Sequence, residues 1–152
     1  MEHYRHTQIG VATILAVGGG VAVTVGMSFA IPRAHGPLLV MSGILLLCLV
    51  LFGSLTVVVD ERELRFWFGP GLIRRRFYLT DVRSCEPVTN AWAWGWGIHR
   101  TPRGWLYNVS GLEGVEIGLS SGQTFRLGTD EPHELCRAFR AAARLPGSDS
   151  PR

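Results

Sequence analysis

Two membrane-spanning α-helices in a hairpin, followed by an all-β barrel of about seven strands capped by a C-terminal helix, is the fold class the sequence predicts. Three observations predict it. Residues 9–59 hold two apolar runs separated only by Pro32, Arg33, Ala34, His35 and Gly36, and the first 59 residues carry just three charged side chains, Glu2, Arg5 and Arg33. From Leu55 onward apolar residues alternate in short runs, the period of half-buried strands. After Gly128 the period changes to that of an amphipathic helix.

The bulk numbers follow from this division. Of 152 residues, 47% are hydrophobic and only 18% charged, and the charge deficit lies in the apolar segment. From Asp60 onward 13 Arg face 11 Asp plus Glu, a net charge of +2, too balanced for the concentrated basic face of a nucleic-acid binder. All 15 basic residues are Arg, which reads as coding bias in the absence of an Arg-specific motif. Cys48, Cys85 and Cys136 form neither a disulfide framework nor a zinc spacing.

Taken in order, residues 1–8 read as a polar cytoplasmic tail. Ile9 to Ile31 form an uncharged run of 23 residues. As a helix it spans about 34 Å, enough for a hydrocarbon core of about 30 Å and too long for the apolar core of a signal peptide. Residues 32–36 form a short external loop and residues 37–54 the second span. Two spans so joined form an antiparallel hairpin with both ends on one side. Arg5 before it and Arg62, Arg65, Arg74, Arg75 and Arg76 after it, against Arg33 alone in the connection, place both termini in the cytoplasm.

The β-branched stretch Leu55 to Val59 reads as the first strand, emerging almost directly from the membrane. Leu64, Phe66 and Phe68 mark the second strand, and Gly69-Pro70-Gly71 a turn. Ile73 to Leu79 and Val82 to Val88 follow as strands. Thr89 to Gly104 reads as a loop, and three more strands run through Trp105 to Ser110, Val115 to Leu119, and Phe125 to Leu127. Thr129 or Asp130 caps a helix whose buried stripe is Leu135, Ala138, Phe139 and Ala142, with Arg140 and Arg144 in its last turns. Residues 55–145 thus form the domain. Pro146 and Gly147 end the helix, and residues 146–152 read as a disordered tail.

The two spans and this strand order, with Gly95-Trp96-Gly97-Ile98, Thr101-Pro102-Arg103-Gly104-Trp105 and Leu127-Gly128-Thr129-Asp130-Glu131-Pro132, resemble the small bacterial membrane proteins that carry a pleckstrin-homology-like domain. The resemblance covers Leu55 to Leu145 and the preceding hairpin. It implies seven strands and a C-terminal helix. It does not imply phosphoinositide binding: relatives that bind such lipids use a long basic loop between their first two strands, and Asp60-Glu61-Arg62 is short and acidic.

Four features are candidates for function. Arg74, Arg75 and Arg76 with Arg65 form the densest basic cluster. It reads as a topology signal and solvated strand face, or as a contact to anionic lipid. Trp92, Trp94 and Trp96 alternate with small residues and have three readings: a membrane-interface anchor, a partner-binding patch, or a lid folded back to close the barrel. His99, Arg100 and Arg103 follow and could receive an anion. Gly18, Ala22, Gly26 and Ala30 form a small-residue face on the first span, beside a second stripe of Ala12, Ala16, Gly20, Thr24 and Ser28. Such faces pack on the other helix of the hairpin or on a second copy, and the short connection favours the first.

No nucleophile set, carboxylate pair or metal spacing stands out. The sequence therefore predicts a non-enzymatic membrane protein, free of cofactors, presenting a cytoplasmic module at the bilayer surface as an adaptor or assembly subunit. Its expected partners are the lipid bilayer and a protein or a second copy of itself, not nucleic acid. The alternative is a small oligomeric transport or channel accessory subunit associating through the first helix, against which neither span carries an ionisable residue apart from Cys48.

Overall fold

The structure, a computed structural model, describes residues 2–143. The chain runs β1 (Glu2–Ile9), α1 (Val11–Ala30), a 3-10 turn (Pro32–Ala34), α2 (His35–Phe52), β2 (Ser54–Asp60), β3 (Glu63–Phe68), β4 (Ile73–Tyr78) and a second 3-10 turn (Leu79–Asp81). It continues with β5 (Val82–Thr89), a third 3-10 turn (Trp92–Trp94), β6 (Gly97–Thr101), β7 (Gly104–Asn108), β8 (Glu113–Leu119), β9 (Thr124–Gly128) and α3 (Pro132–Ala143). Arg144, the expected stop at Pro146 and Gly147, and the expected tail at 146–152 lie outside the described residues.

The two apolar helices are long enough to cross a membrane, and only 6% of either apolar window is buried within the protein. A core helix of a soluble domain would be covered; these present their apolar side chains outward all round. Their contact seam is polar and small. Thr24 Oγ1 lies 2.7 Å from Ser42 Oγ, Gly20 faces the Leu45 side chain, and the His35 ring donates to the Ser28 carbonyl at 3.0 Å. The stripe expected to pack on the second helix therefore does not. Ala22, Gly26 and Ala30 are exposed, and nothing lies within 4 Å of a Cβ placed at Gly18 or Gly26. The neighbouring row, Gly20, Thr24 and Ser28, makes the seam because it shares a face with Thr13 and Val17 at helical spacing.

The expected polar tail at 1–8 is strand β1, antiparallel to β2, with Tyr4, His6 and Gln8 opposite Val59, Val57 and Leu55. Its inward side chains are polar, so no apolar alternation announced it. They meet polar neighbours: Tyr4 donates to Glu131, His6 lies 2.7 Å from Asp130, and Gln8 donates to the Ser110 carbonyl. The expected domain at 55–145 thus also includes residues 2–9. Helix boundaries shift accordingly, from 9–31 and 37–54 to Val11–Ala30 and His35–Phe52, and the expected loop at 32–36 becomes a 3-10 turn plus the start of α2, whose first turn tolerates Pro37.

Among the described residues the strands form two sheets, β1-β2-β3-β4 and β5-β8-β9-β7-β6, nine strands where about seven were expected. The first is wholly antiparallel; in the second, β7 and β9 pair in parallel. Strand β6 arises within the expected Thr89–Gly104 loop and pairs with β7 across a turn at Thr101–Gly104. Among the described residues no ladder joins the sheets, so the expected, partly open barrel is instead two layers with a shared core. Aromatic rings bridge them: Phe77 stacks on Phe125 at 4.4 Å and Phe66 meets Tyr107 at 4.9 Å. As expected, α3 closes the assembly, burying Leu135 and Phe139 while packing on β5 and β8 of one sheet and β1 and β2 of the other. Pro87 is tolerated because β5 is an edge strand.

Candidate functional site

The helices and the domain meet at the ends of β1 and β2. Gly10 alone separates β1 from α1 and Gly53 alone separates α2 from β2, and the Gly10 amide donates to the Gly53 carbonyl at 2.8 Å. A Cβ at Gly10 would sit about 3.1 Å from the carbonyl oxygens of both Gly53 and Val109, so a side chain there would crowd both backbones. The β7–β8 turn clips onto the first turn of α1: Thr13 Oγ1 donates to the Val109 carbonyl at 2.7 Å. On the other side the Gly69 amide donates to the Ser54 carbonyl at 2.9 Å, and a Cβ at Gly69 would collide with the Val50 carbonyl. Two turns of the domain and the two strand–helix junctions are therefore fixed at the level where the helices meet the domain.

The tryptophan segment joins β5 to β6, the two opposite edges of the second sheet. Crossing four strand spacings takes about 19 Å, and the seven residues 90–96 reach at most about 25 Å. The segment must lie against the sheet. Trp94 accordingly sits over the outer face, its ring 5.1 Å from the Arg126 guanidinium carbon. Trp96 Nε1 donates to the Gly111 carbonyl at 3.3 Å, and Trp96 and Ile98 join Thr13, Val17, Cys48 and Phe52 around an apolar cleft of about 310 Å³. Trp92 stays 77% exposed. The three Trp thus separate: Trp94 covers a sheet face, Trp96 contacts the helix base, Trp92 faces out. None enters the core between the sheets.

Sequence reasoning missed Arg126. It is 5% exposed, on the face of β9 opposite Phe125 and Leu127. Its Nε and Nη2 each lie 2.8 Å from Glu116 Oε2, and Nη1 donates to Asn90 Oδ1 at 3.2 Å. A charged residue between two core positions reads as solvent-facing in a strand; the crossing segment that buries it is a tertiary fact.

The basic cluster is divided by strand alternation. Trp67 pairs with Arg74, Arg65 with Arg76, and Val58 with both Arg5 and Arg65, so Arg5, Arg65, Trp67, Arg74 and Arg76 share the outer face of the first sheet. Arg75 pairs with Phe66 and points to the opposite side of the edge strand, where an inward charge guards against edge pairing. Arg65 is held by two carboxylates, Asp60 and Glu63, each at 3.1 Å. Arg74, Arg75 and Arg76 are exposed, and no carboxylate of the described residues pairs with them. A groove of about 610 Å³ lies along this face beside Trp67 and Pro70.

The trio His99, Arg100 and Arg103 does not converge. His99 pairs with Leu106 and Arg100 with Trp105, so their side chains leave opposite faces of β6. Arg103 lies in the turn at the end of β6 remote from the helices, and the His99 ring donates to the Trp96 carbonyl at 2.6 Å.

Three groups outside the spans have displaced pKa values. Burial, then the hydrogen bond to Glu131, pushes the Tyr4 hydroxyl well above its usual range. The hydrogen bond with the Cys136 thiol, then burial, does the same to Cys85. For Asp60 burial acts upward, but the amides of Arg62 and Glu63 and the Arg65 guanidinium outweigh it and leave the carboxyl below its usual range. Among the described residues no group of His, Cys, Asp and Glu could hold a metal ion.

The chain matches no family model, no curated protein and no solved structure. Its site is read from its own residues: a ring of apolar, aromatic and basic side chains around the point where two apolar helices leave a β domain.

Proposed function

We propose that the protein is a non-enzymatic, two-span protein of the cytoplasmic membrane that holds a pleckstrin-homology-like binding module against the inner face of the bilayer. The observation that carries this is the junction. Helices α1 and α2 continue β1 and β2 with one residue between, cross-linked through Gly10 and Gly53, so the module has no slack by which to leave the membrane. The arginine asymmetry supports a cytoplasmic module, with Arg5, Arg62 and Arg74–76 on its side and Arg33 alone in the connection. Binding is the role supported by exposed Trp92, since an unpaired Trp at a rigid surface is a strong protein anchor.

Two measurements on the full chain test this. A C-terminal reporter should be active only in the cytoplasm; activity outside overturns the topology. A photo-crosslinking amino acid at position 92 should capture a protein, whereas adducts to lipid alone would refute the partner surface. A second reading, a subunit that self-associates through its first span, is favoured by the open space beside Gly18 and Gly26. It predicts discrete crosslinked oligomers lost in Gly18→Ile plus Gly26→Ile.

A further inference from the structure

The β3–β4 turn lies against the end of α2, on the side of the first sheet where β1 and β2 join the helices. Gly69 opposes the carbonyl oxygens of Val50 and Leu51 in the last turn of α2, so Gly69 to Leu72 lie at the depth where that helix ends. At the turn's tip Leu72 is 77% exposed, with nothing in the domain to cover it. Moving away from the bilayer, the outer face then presents two rows. Thr7, Thr56, Trp67 and Arg74 form the first; Arg5, Val58, Arg65 and Arg76 form the second, two residues or about 7 Å further out.

These depths match the bilayer's own layers. The headgroup region adds about 5–7 Å on each side of the hydrocarbon core. A leucine at the end of α2 sits at its inner boundary, a Trp and an Arg one rung out sit within it, and the second row reaches its outer edge. Apolar, aromatic and cationic side chains thus occur in the order in which acyl chain, interface and phosphate occur. The cations on this face are also available. Arg65 is neutralised by Asp60 and Glu63, but Arg74 and Arg76 have no carboxylate partner among the described residues.

We propose that this face is an anionic-phospholipid site: Leu72 and Trp67 seat in the interface, and Arg74 and Arg76, backed by Arg5, receive the headgroup phosphate. Arg65 serves differently, holding Glu63 and Asp60 away from the phosphate. The site rests on the membrane reading above, and Glu63, held by Arg65, lines the end of its groove remote from the β3–β4 turn.

The test uses the full chain purified in detergent with an equimolar mixture of phosphatidylglycerol and phosphatidylcholine of matched acyl chains. Native mass spectrometry reads the ratio of the two lipids retained. Wild type should retain phosphatidylglycerol preferentially. Arg74→Gln plus Arg76→Gln should lower that preference roughly fivefold for each arginine removed. Arg74→Lys plus Arg76→Lys should keep most of it, and Arg83→Gln plus Arg137→Gln, which remove equal charge elsewhere, should leave it unchanged. The proposal is overturned if wild type shows no preference, if both Gln pairs lower it equally, or if inorganic phosphate displaces the lipid, which would identify a soluble ligand. Alkaline extraction of the same variants from membranes reads anchoring separately: a chain that stays in the membrane yet shows no headgroup preference sinks this site and leaves the anchored module standing.

Discussion

Arg126 shows how one residue joins two parts of the domain. Its guanidinium ties β9 to Glu116 on β8, to Asn90 at the start of the tryptophan segment, and to the Trp94 ring. Arg126→Met leaves Glu116 without its partner under a covering loop. Breaking a buried pair costs about 3–5 kcal/mol, and the lower end applies because the Glu116 side chain keeps 22% exposure. Denaturant unfolding of the detergent-solubilised chain should register a loss of about 3 kcal/mol, against about 1 kcal/mol from the cation–π contact in Trp94→Leu. Equal losses would mean that packing, not charge pairing, holds the loop. Asp60 makes an acid-side prediction. Its folded pKa lies below the unfolded value of about 3.9, so its contribution is fully present above that value and is lost as pH falls through the folded pKa. Wild-type stability should therefore fall more steeply in acid than that of Asp60→Asn, which lacks the titrating group; parallel acid limbs would contradict it. Cys85 and Cys136, free and buried, should resist a membrane-permeant maleimide until the chain unfolds.

At the scale of elements, β1 was least legible in the sequence. A strand declares itself by alternation of apolar and polar residues, and β1 alternates polar with polar because its inward side chains face Asp130, Glu131 and Ser110. β6 was hidden by a different cause, since Gly97–Thr101 is short and forms only by pairing with β7. Strands β2, β3 and β9 and helix α3 were legible because Leu55, Val57, Phe66, Leu127 and Phe139 obey their period and are buried. The placement of β1 and β2 has a consequence for fragments. A chain begun at Asp60 lacks both strands, including Leu55, Val57 and Val59 of the core, and bares the edge of β3. Such a fragment should show no near-ultraviolet circular dichroism of packed aromatics and should aggregate, whereas the full chain in detergent shows both sheets protected in hydrogen exchange.

At the scale of the whole molecule, the junction of the two apolar helices with the domain is the organising point. The Gly10–Gly53 bond, the Thr13 clip to Val109 and the Gly69 contact hold three corners of the domain to the helix ends. Gly10→Val places side-chain atoms against two carbonyls and Val109, and overpacking of this kind costs about 1–3 kcal/mol. Limited proteolysis of the variant in membranes should cut between β1 and α1 while the domain core stays resistant; an uncut junction would show that the closure tolerates a side chain. Of the candidate residues, Trp96 came to the helix base and Arg74 and Arg76 to one face beside Trp67, whereas His99 and Arg100 did not converge, because they leave opposite faces of one strand.

The sequence by itself determined the two apolar helices, the strand-rich region after them and the closing amphipathic helix, because hydrophobic period and length are local properties of the chain. The tertiary structure alone decided that the polar first residues complete the sheet, that the strands form two sheets and no closed barrel, and which row of small residues makes the helix seam. It also decided that Arg126 is buried, and that Trp67 and Arg74 share the outer face of the first sheet. Each of these depends on pairing between residues distant in the chain, and no local period records which distant strand or helix will be the neighbour.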